Sequence, residues 1–126
     1  MRSSRLSSTA PKIRRGEVWL ADLDPRFGAE PGKTRPVLVV ESQELLDSEY
    51  STTLIVPLTT HLIDAAEPLR IRVAPAGRLR RASDLLIAQM RAIDNRRLVQ
   101  GPLLRLEEHA LARVDAAIRE VLGLEL

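Results

Sequence analysis

Residues 16–40 read GEVWLADLDPRFGAEPGKTRPVLVV, and the fold turns on how this stretch is divided. Gly16 to Leu23 carries Val18, Trp19 and Leu20 with partial alternation and ends at Asp24-Pro25, the pattern of a strand entering a turn. Residues 25–34 hold two Gly and two Pro and read as a loop. Pro36 to Val40 is an apolar, β-branched run and reads as a buried strand. Within the loop, Gly28-Ala29-Glu30-Pro31-Gly32-Lys33-Thr34 resembles a phosphate-cradling nucleotide loop. Such a loop needs four residues between its glycines and a helix after it. Here there are three, Pro31 has no amide hydrogen, and the residues that follow form a strand. Pro36 also disfavours helical geometry at Arg35. The stretch is therefore a connection between two strands, and it delivers Arg35 to the mouth of a buried one.

A chain of 126 residues fits one domain and can bury roughly two-thirds of its unfolded surface. It has no Cys, which removes disulfides and thiolate metal sites and suits the cytoplasm. The two His, at 61 and 109, make an all-protein metal site unexpected, and no cofactor motif is present. No apolar run approaches the ~20 residues that span a bilayer, so no membrane association is expected. The N-terminal MRSSRLSSTAPKIRR is basic and Ser-rich without an apolar core, unlike a signal peptide. Residues 1–13 are expected to form a flexible basic tail and 14–126 the domain. Net charge is only +2, yet Lys12 and Lys33 are the only lysines among 19 basic residues. Arginine offers forked contacts to phosphate, although a near-balanced charge does not by itself demand nucleic acid.

Further along, Gln43 to Glu49 suits a short helical turn, and Thr52 to Thr59 a strand with Pro57 marking an edge or bulge. Leu69 to Val73 alternates, with Arg70 and Arg72 on one face. Residues 75–84 read as a basic loop holding Arg78, Arg80 and Arg81. Leu85 to Ile93 begins as a buried strand and, continued, places Gln89 and Arg91 on one face. From Leu106 to Leu122 apolar residues recur at helical spacing, with Glu107 and Glu108 in the first turn and Gly123 at the stop. Five or six short strands and a closing amphipathic helix make an α+β fold around a small curled, barrel-like sheet.

Three blocks in order carry a resemblance. GEVWLADLDPRFGAEPGKTRPVLVV is similar to the opening of the MazF/PemK (Kid) toxins. TLIVPLTT (53–60) resembles their second strand block, and LLIAQMRAIDNRRL (85–98) their third. The resemblance covers about residues 15–122. It implies a small SH3-like curled barrel of the CcdB/PemK kind. One departure stands out: Ala29 occupies a position where the family has Ser or Thr.

The family implied by this resemblance consists of toxins of type II toxin–antitoxin systems. They are metal-independent, sequence-specific endoribonucleases (mRNA interferases) that cut single-stranded RNA. The 2′-hydroxyl attacks the adjacent phosphorus, leaving a 2′,3′-cyclic phosphate and a 5′-hydroxyl. Position by position, the catalytic residues fall on Arg35 and Thr59. A guanidinium suits the phosphorane's extra negative charge, and Thr59 would donate a hydrogen bond to the same phosphate. Arg15, Glu30, Thr60, Gln89 and Arg91 are the candidates for RNA contact: Glu30 and Gln89 for base edges, Arg15 and Arg91 for phosphates. One Trp, one Tyr and one Phe leave little for base stacking. His61 matches no catalytic position of the family. The resemblance further implies a homodimer and a cognate, MazE-like antitoxin, with DNA met only through that antitoxin. Two other functions compete. One is a CcdB-like toxin that binds gyrase without nuclease activity, and the other is a degenerate member that binds RNA or antitoxin without cutting. Fold alone does not separate them, but CcdB-type toxins lack the Arg–Thr pair.

Overall fold

A computed structural model describes residues 12–23 and 33–124. In chain order its elements are β1 (Glu17–Asp22), β2 (Thr34–Val39), α1 (Gln43–Asp47), β3 (Thr52–Thr59), β4 (Arg70–Val73), β5 (Ser83–Leu86), β6 (Arg91–Asp94), β7 (Leu98–Arg105) and α2 (Glu108–Leu122). The strands form one sheet in the order β4-β5-β3-β2-β1-β7, and β6 also pairs with β3. Every pairing is antiparallel. The sheet curls until its two ends meet: the Arg78 amide, in the loop after β4, donates to the Leu103 carbonyl of β7 at 2.7 Å. The architecture is the expected α+β sheet with a C-terminal helix.

The weak alternation of β1 to β3 has a physical cause, since both of their faces are buried. Val18, Leu38, Val56 and Leu58 join Ile71, Leu85, Val114 and Ala117 in the core beneath α2. Trp19, Ala21, Val37, Val39 and Ile55 join Ile93 in a second cluster on the opposite face, with Ile13, Leu46 and Leu98 against it. A strand apolar on both sides reads as a continuous run. The helix stops as its sequence suggests. Gly123 takes a left-handed φ of 72°, and the amides of Gly123 and Leu124 return to the Glu120 and Arg119 carbonyls, a cap that favours glycine.

Two expectations need correction, the first being the count of five or six strands, since the sheet has seven. Leu98 to Arg105, which the sequence reading left unassigned, is the eight-residue β7. Gly101-Pro102 reads as a loop signal, yet it sits where the β1–β7 register shifts between Val18 and Leu20. Gly101 is there because Trp19 crosses it: a Cβ on Gly101 would lie 2.4 Å from Trp19 Cδ2. The second correction concerns residues 85–93, which are not one strand. β5 starts earlier, at Ser83, and a 3₁₀ turn at Ile87–Gln89 separates it from β6. The alternation argument that set Gln89 and Arg91 on one face therefore fails. Pro57 explains the break. It lies between the Ile55–Arg91 and Leu58–Leu85 pairs, where β3 changes partner from β6 to β5, so no ladder bond is missed for want of its N–H.

Candidate active site

The β2–β3 ladder pairs Val39 with Ile55 and Val37 with Pro57. Continued by two residues, the same register sets Arg35 opposite Thr59. Residues opposite each other across an antiparallel pair share a face. Arg35 reaches over the end of β3, its Nη1 3.5 Å from the Leu58 carbonyl oxygen. Both side chains are half-buried. Thr59 Oγ1 accepts the His61 amide at 3.1 Å, which leaves its own hydrogen for donation. At the same end of the sheet the Leu23 amide donates to the Lys33 carbonyl at 2.8 Å.

The row continues past Thr59. Thr59 pairs with Asp84 on β5, and Asp84 with Arg72 on β4. Arg35, Thr59, Asp84 and Arg72 thus cross four strands on one face. Asp84 is 1% exposed. Its Oδ2 accepts the Ile63 amide at 2.9 Å and Arg70 Nη1 at 3.1 Å, and its Oδ1 accepts Arg72 Nε. Arg70 Nη1 also donates to the His61 carbonyl at 2.9 Å, and Arg72 Nη2 to Asp64 at 2.8 Å. Burial pushes the Asp84 carboxyl up, but the bonds from Arg72, the Ile63 amide and Arg70 outweigh it and hold the group below its ordinary value of 3.8. The sequence reading missed this cluster. The alternating Arg70 and Arg72 were visible, but only the register shows that both converge on one aspartate.

The remaining predicted residues are scattered around this row. Thr60 is exposed directly beyond Thr59. Gln89 is exposed at the end of the 3₁₀ turn, and Arg91 opens β6 opposite Ile55. Among the described residues, Arg91 Nη1 is the one buried side-chain nitrogen or oxygen without a hydrogen-bond partner. Arg15 lies at the other end of β2, its Nε donating to the Val40 carbonyl at 2.9 Å and its Nη2 to Asp115 at 2.6 Å. Glu30 falls outside the described residues, as does Ala29. A cleft of about 310 Å³ beside α1, bordered by Ile13, Leu46, Tyr50 and Thr53, includes none of the row. Among the described residues no group of three or more His, Asp or Glu is placed to hold a metal ion, and no helix is long and apolar enough to cross a membrane.

Solved structures share this arrangement of strands. MazF from Deinococcus radiodurans superposes with a TM-score of 0.74 at 22% identity, covering 91% of this chain and 100% of its own. The Mycobacterium tuberculosis toxin MazF-mt6 gives 0.70 at 20% identity, over 87% and 99%. An endoribonuclease from a mycobacterial species, in complex with its cognate antitoxin, gives 0.68 at 18% identity, over 93% and 99%. At these identities the likeness shows the fold. The family assignment rests on the sequence itself, because the profile of the PemK-like, MazF-like toxins of type II toxin–antitoxin systems matches residues 14–122. Those residues include all three motif blocks and the whole sheet and helix, so the chain belongs to the PemK/MazF-like family of toxin–antitoxin toxins.

Proposed function

We propose that this chain is an endoribonuclease toxin that cuts single-stranded RNA at specific sequences, without a metal, in the cytoplasm. The observation that carries the reading is the reach of Arg35 over the end of β3, its Nη1 3.5 Å from the carbonyl oxygen of Leu58, the residue before Thr59. The β2–β3 register, continued by two residues, brings this guanidinium and the Thr59 hydroxyl to one end of the sheet. A phosphodiester placed there supplies its own nucleophile. The 2′ oxygen bonds to phosphorus, the bond from phosphorus to the 5′ oxygen breaks, and the 2′ proton leaves while the 5′ oxygen gains one. The products are a 2′,3′-cyclic phosphate and a 5′-hydroxyl. Arg35 stabilises the phosphorane's added charge, as a preorganised donor does best in a partly desolvated site. Thr59 donates to a non-bridging oxygen of the same phosphate.

Thr60, Gln89 and Arg91, together with Glu30, would contact the flanking nucleotides. Arg91, half-buried at the start of β6, is the candidate for a phosphate, which a guanidinium binds as a fork. Arg15 faces α2 and is already paired, so it is given no part here. The active form would be a homodimer, held in check by a cognate antitoxin; a relative of this fold has been solved in complex with its antitoxin. The test is incubation of the purified protein with a long single-stranded RNA in EDTA, with the cut ends mapped by primer extension. Cuts at a recurring sequence bearing cyclic phosphates are expected, and Arg35→Ala should lower the rate by about 100-fold or more. Intact RNA with folded wild-type protein would sink the reading.

A further inference from the structure

Resting on that reading, we propose that Asp84 is a positioning residue for the cleavage reaction: its carboxylate, gripped by Arg70 and Arg72, fixes the segment after β3 and thereby aims the Thr59 hydroxyl at the phosphate held by Arg35.

The connections run in one line. The Thr59 hydroxyl oxygen is oriented by the His61 amide. His61 is held from the other side, its carbonyl accepting Arg70 Nη1. The same Arg70 nitrogen donates to Asp84 Oδ2, which also accepts the Ile63 amide. Residues 60–66 have no strand or helix of their own, and Leu62 and Ile63 are 40% and 47% exposed. Apolar burial therefore does little to order this segment, and its hydrogen bonds to Asp84 and Arg70 do that work. Asp84 is itself rigid: it is paired in register with Thr59 on one side and Arg72 on the other and is 1% exposed. A buried carboxylate with both oxygens engaged by charged or backbone donors holds those donors in a narrow range of geometry.

The site is specific for a carboxylate. Three donors converge on two oxygens. An amide offers one oxygen and one NH₂, so Asp84→Asn sets a donor against either Arg72 or the Arg70–Ile63 pair. The fold should survive, because the core beneath α2 is untouched. Asp84 does not contact the phosphate, so substrate binding should be spared while the chemical step suffers. Misplacement of a catalytic group by about 1 Å is enough for roughly a 100-fold loss.

The experiment compares wild type, D84N and D64N, where Asp64 is the 90% exposed outer partner of Arg72. Amide hydrogen exchange at His61 and Ile63 is followed in the folded proteins, and kcat and KM are measured on a short RNA. D84N is expected to speed exchange at both amides by about tenfold or more, while Val56 in the core is unchanged. It should lower kcat by about 10- to 100-fold with KM within about twofold, and D64N should match wild type. Unchanged exchange in D84N overturns the proposal, and so does faster exchange with an unchanged kcat. If D84N does not fold, R70Q carries the same test, since it leaves Arg72 on Asp84. If wild type leaves RNA intact, the nuclease reading falls instead, and exchange at His61 and Ile63 still decides whether Asp84 holds the segment.

Discussion

Arg15 and Asp115, a hundred positions apart, form a two-pronged ion pair between the entry to β1 and the middle of α2: Nη2 to Oδ1 at 2.6 Å, Nη1 to Oδ2 at 3.4 Å. The third guanidinium nitrogen, Nε, donates to the Val40 carbonyl at the end of β2. One side chain thus ties two strands to the helix that closes the core. The side chains are 27% and 32% exposed, so solvent screens the pair only partly. Arg15→Ala should cost about 1–3 kcal/mol in urea unfolding. Arg15→Lys should recover little of it, because lysine lacks the fork. Cleavage by the folded variant should be unchanged. A variant of full stability that has lost RNA binding would return Arg15 to the substrate site.

Gly101 offers a sharper test of packing. The ring of Trp19 occupies the space a Cβ would need, and the atoms within reach belong to the bicyclic ring rather than to a flexible tip. Gly101→Ala must displace the indole or bend β7 away from β1. Overpacking of this kind costs about 1–3 kcal/mol. Trp19 is the only tryptophan and its Nε1 donates to the buried Glu17 at 3.0 Å, so its fluorescence reports the displacement directly. A red-shifted emission with a lowered unfolding midpoint is expected. Unaltered emission and stability would mean that the contact is looser than the geometry implies.

These two residues also show what the chain disclosed before folding. Val18, Val37 and Val56 could be recognised as strand residues because β-branched runs bounded by turn signals have few other uses. Arg35 and Thr59 were legible as a pair only through the motif resemblance. Their pairing depends on a register that no local pattern encodes. β7 was illegible because its Gly101-Pro102 mimics a turn, and only the approach of Trp19 explains a glycine inside a strand. Asp84 was hidden for a related reason. It lies at what reads as the end of a basic loop, and its value comes from Arg70 and Arg72 on a neighbouring strand. Sequence periodicity shows which face a residue takes, not which residue stands across from it.

Arg91 couples stability to function in opposite directions. Its Nη1 is buried without an acceptor, a condition that costs about 1–3 kcal/mol in a folded protein. Arg91→Met keeps the length and apolar stem and removes the unsatisfied donor. Its thermal midpoint should equal or exceed that of wild type, while affinity for RNA falls and the salt dependence of binding flattens by about one phosphate contact. Both are read on one preparation, by thermal unfolding and by titration of a short RNA at several salt concentrations. Lowered stability with undiminished RNA binding would make Arg91 a structural residue.

Acid should separate two aspartates by their surroundings. The Asp84 carboxyl lies below its ordinary value of 3.8, burial being outweighed by Arg72, the Ile63 amide and Arg70. Asp94 is pulled to about 2, chiefly by the Arg96 side chain and amide. A depressed carboxylate stabilises the fold fully above its unfolded value, and that contribution fades as pH falls through the folded one. Unfolding wild type and D84N in urea at several pH values should therefore show a stability gap that is full near about pH 6. The gap should shrink once the pH passes below about 4. The same comparison with D94N should show a smaller gap that fades between about pH 4 and 2. Asp94 and Arg96 are 40% and 91% exposed, so added salt should nearly erase the D94N gap. Asp84 itself is 1% exposed, so its gap should persist in salt better than that of D94N. A D84N gap that is independent of pH would show that the charge of Asp84 contributes nothing and that only its shape matters.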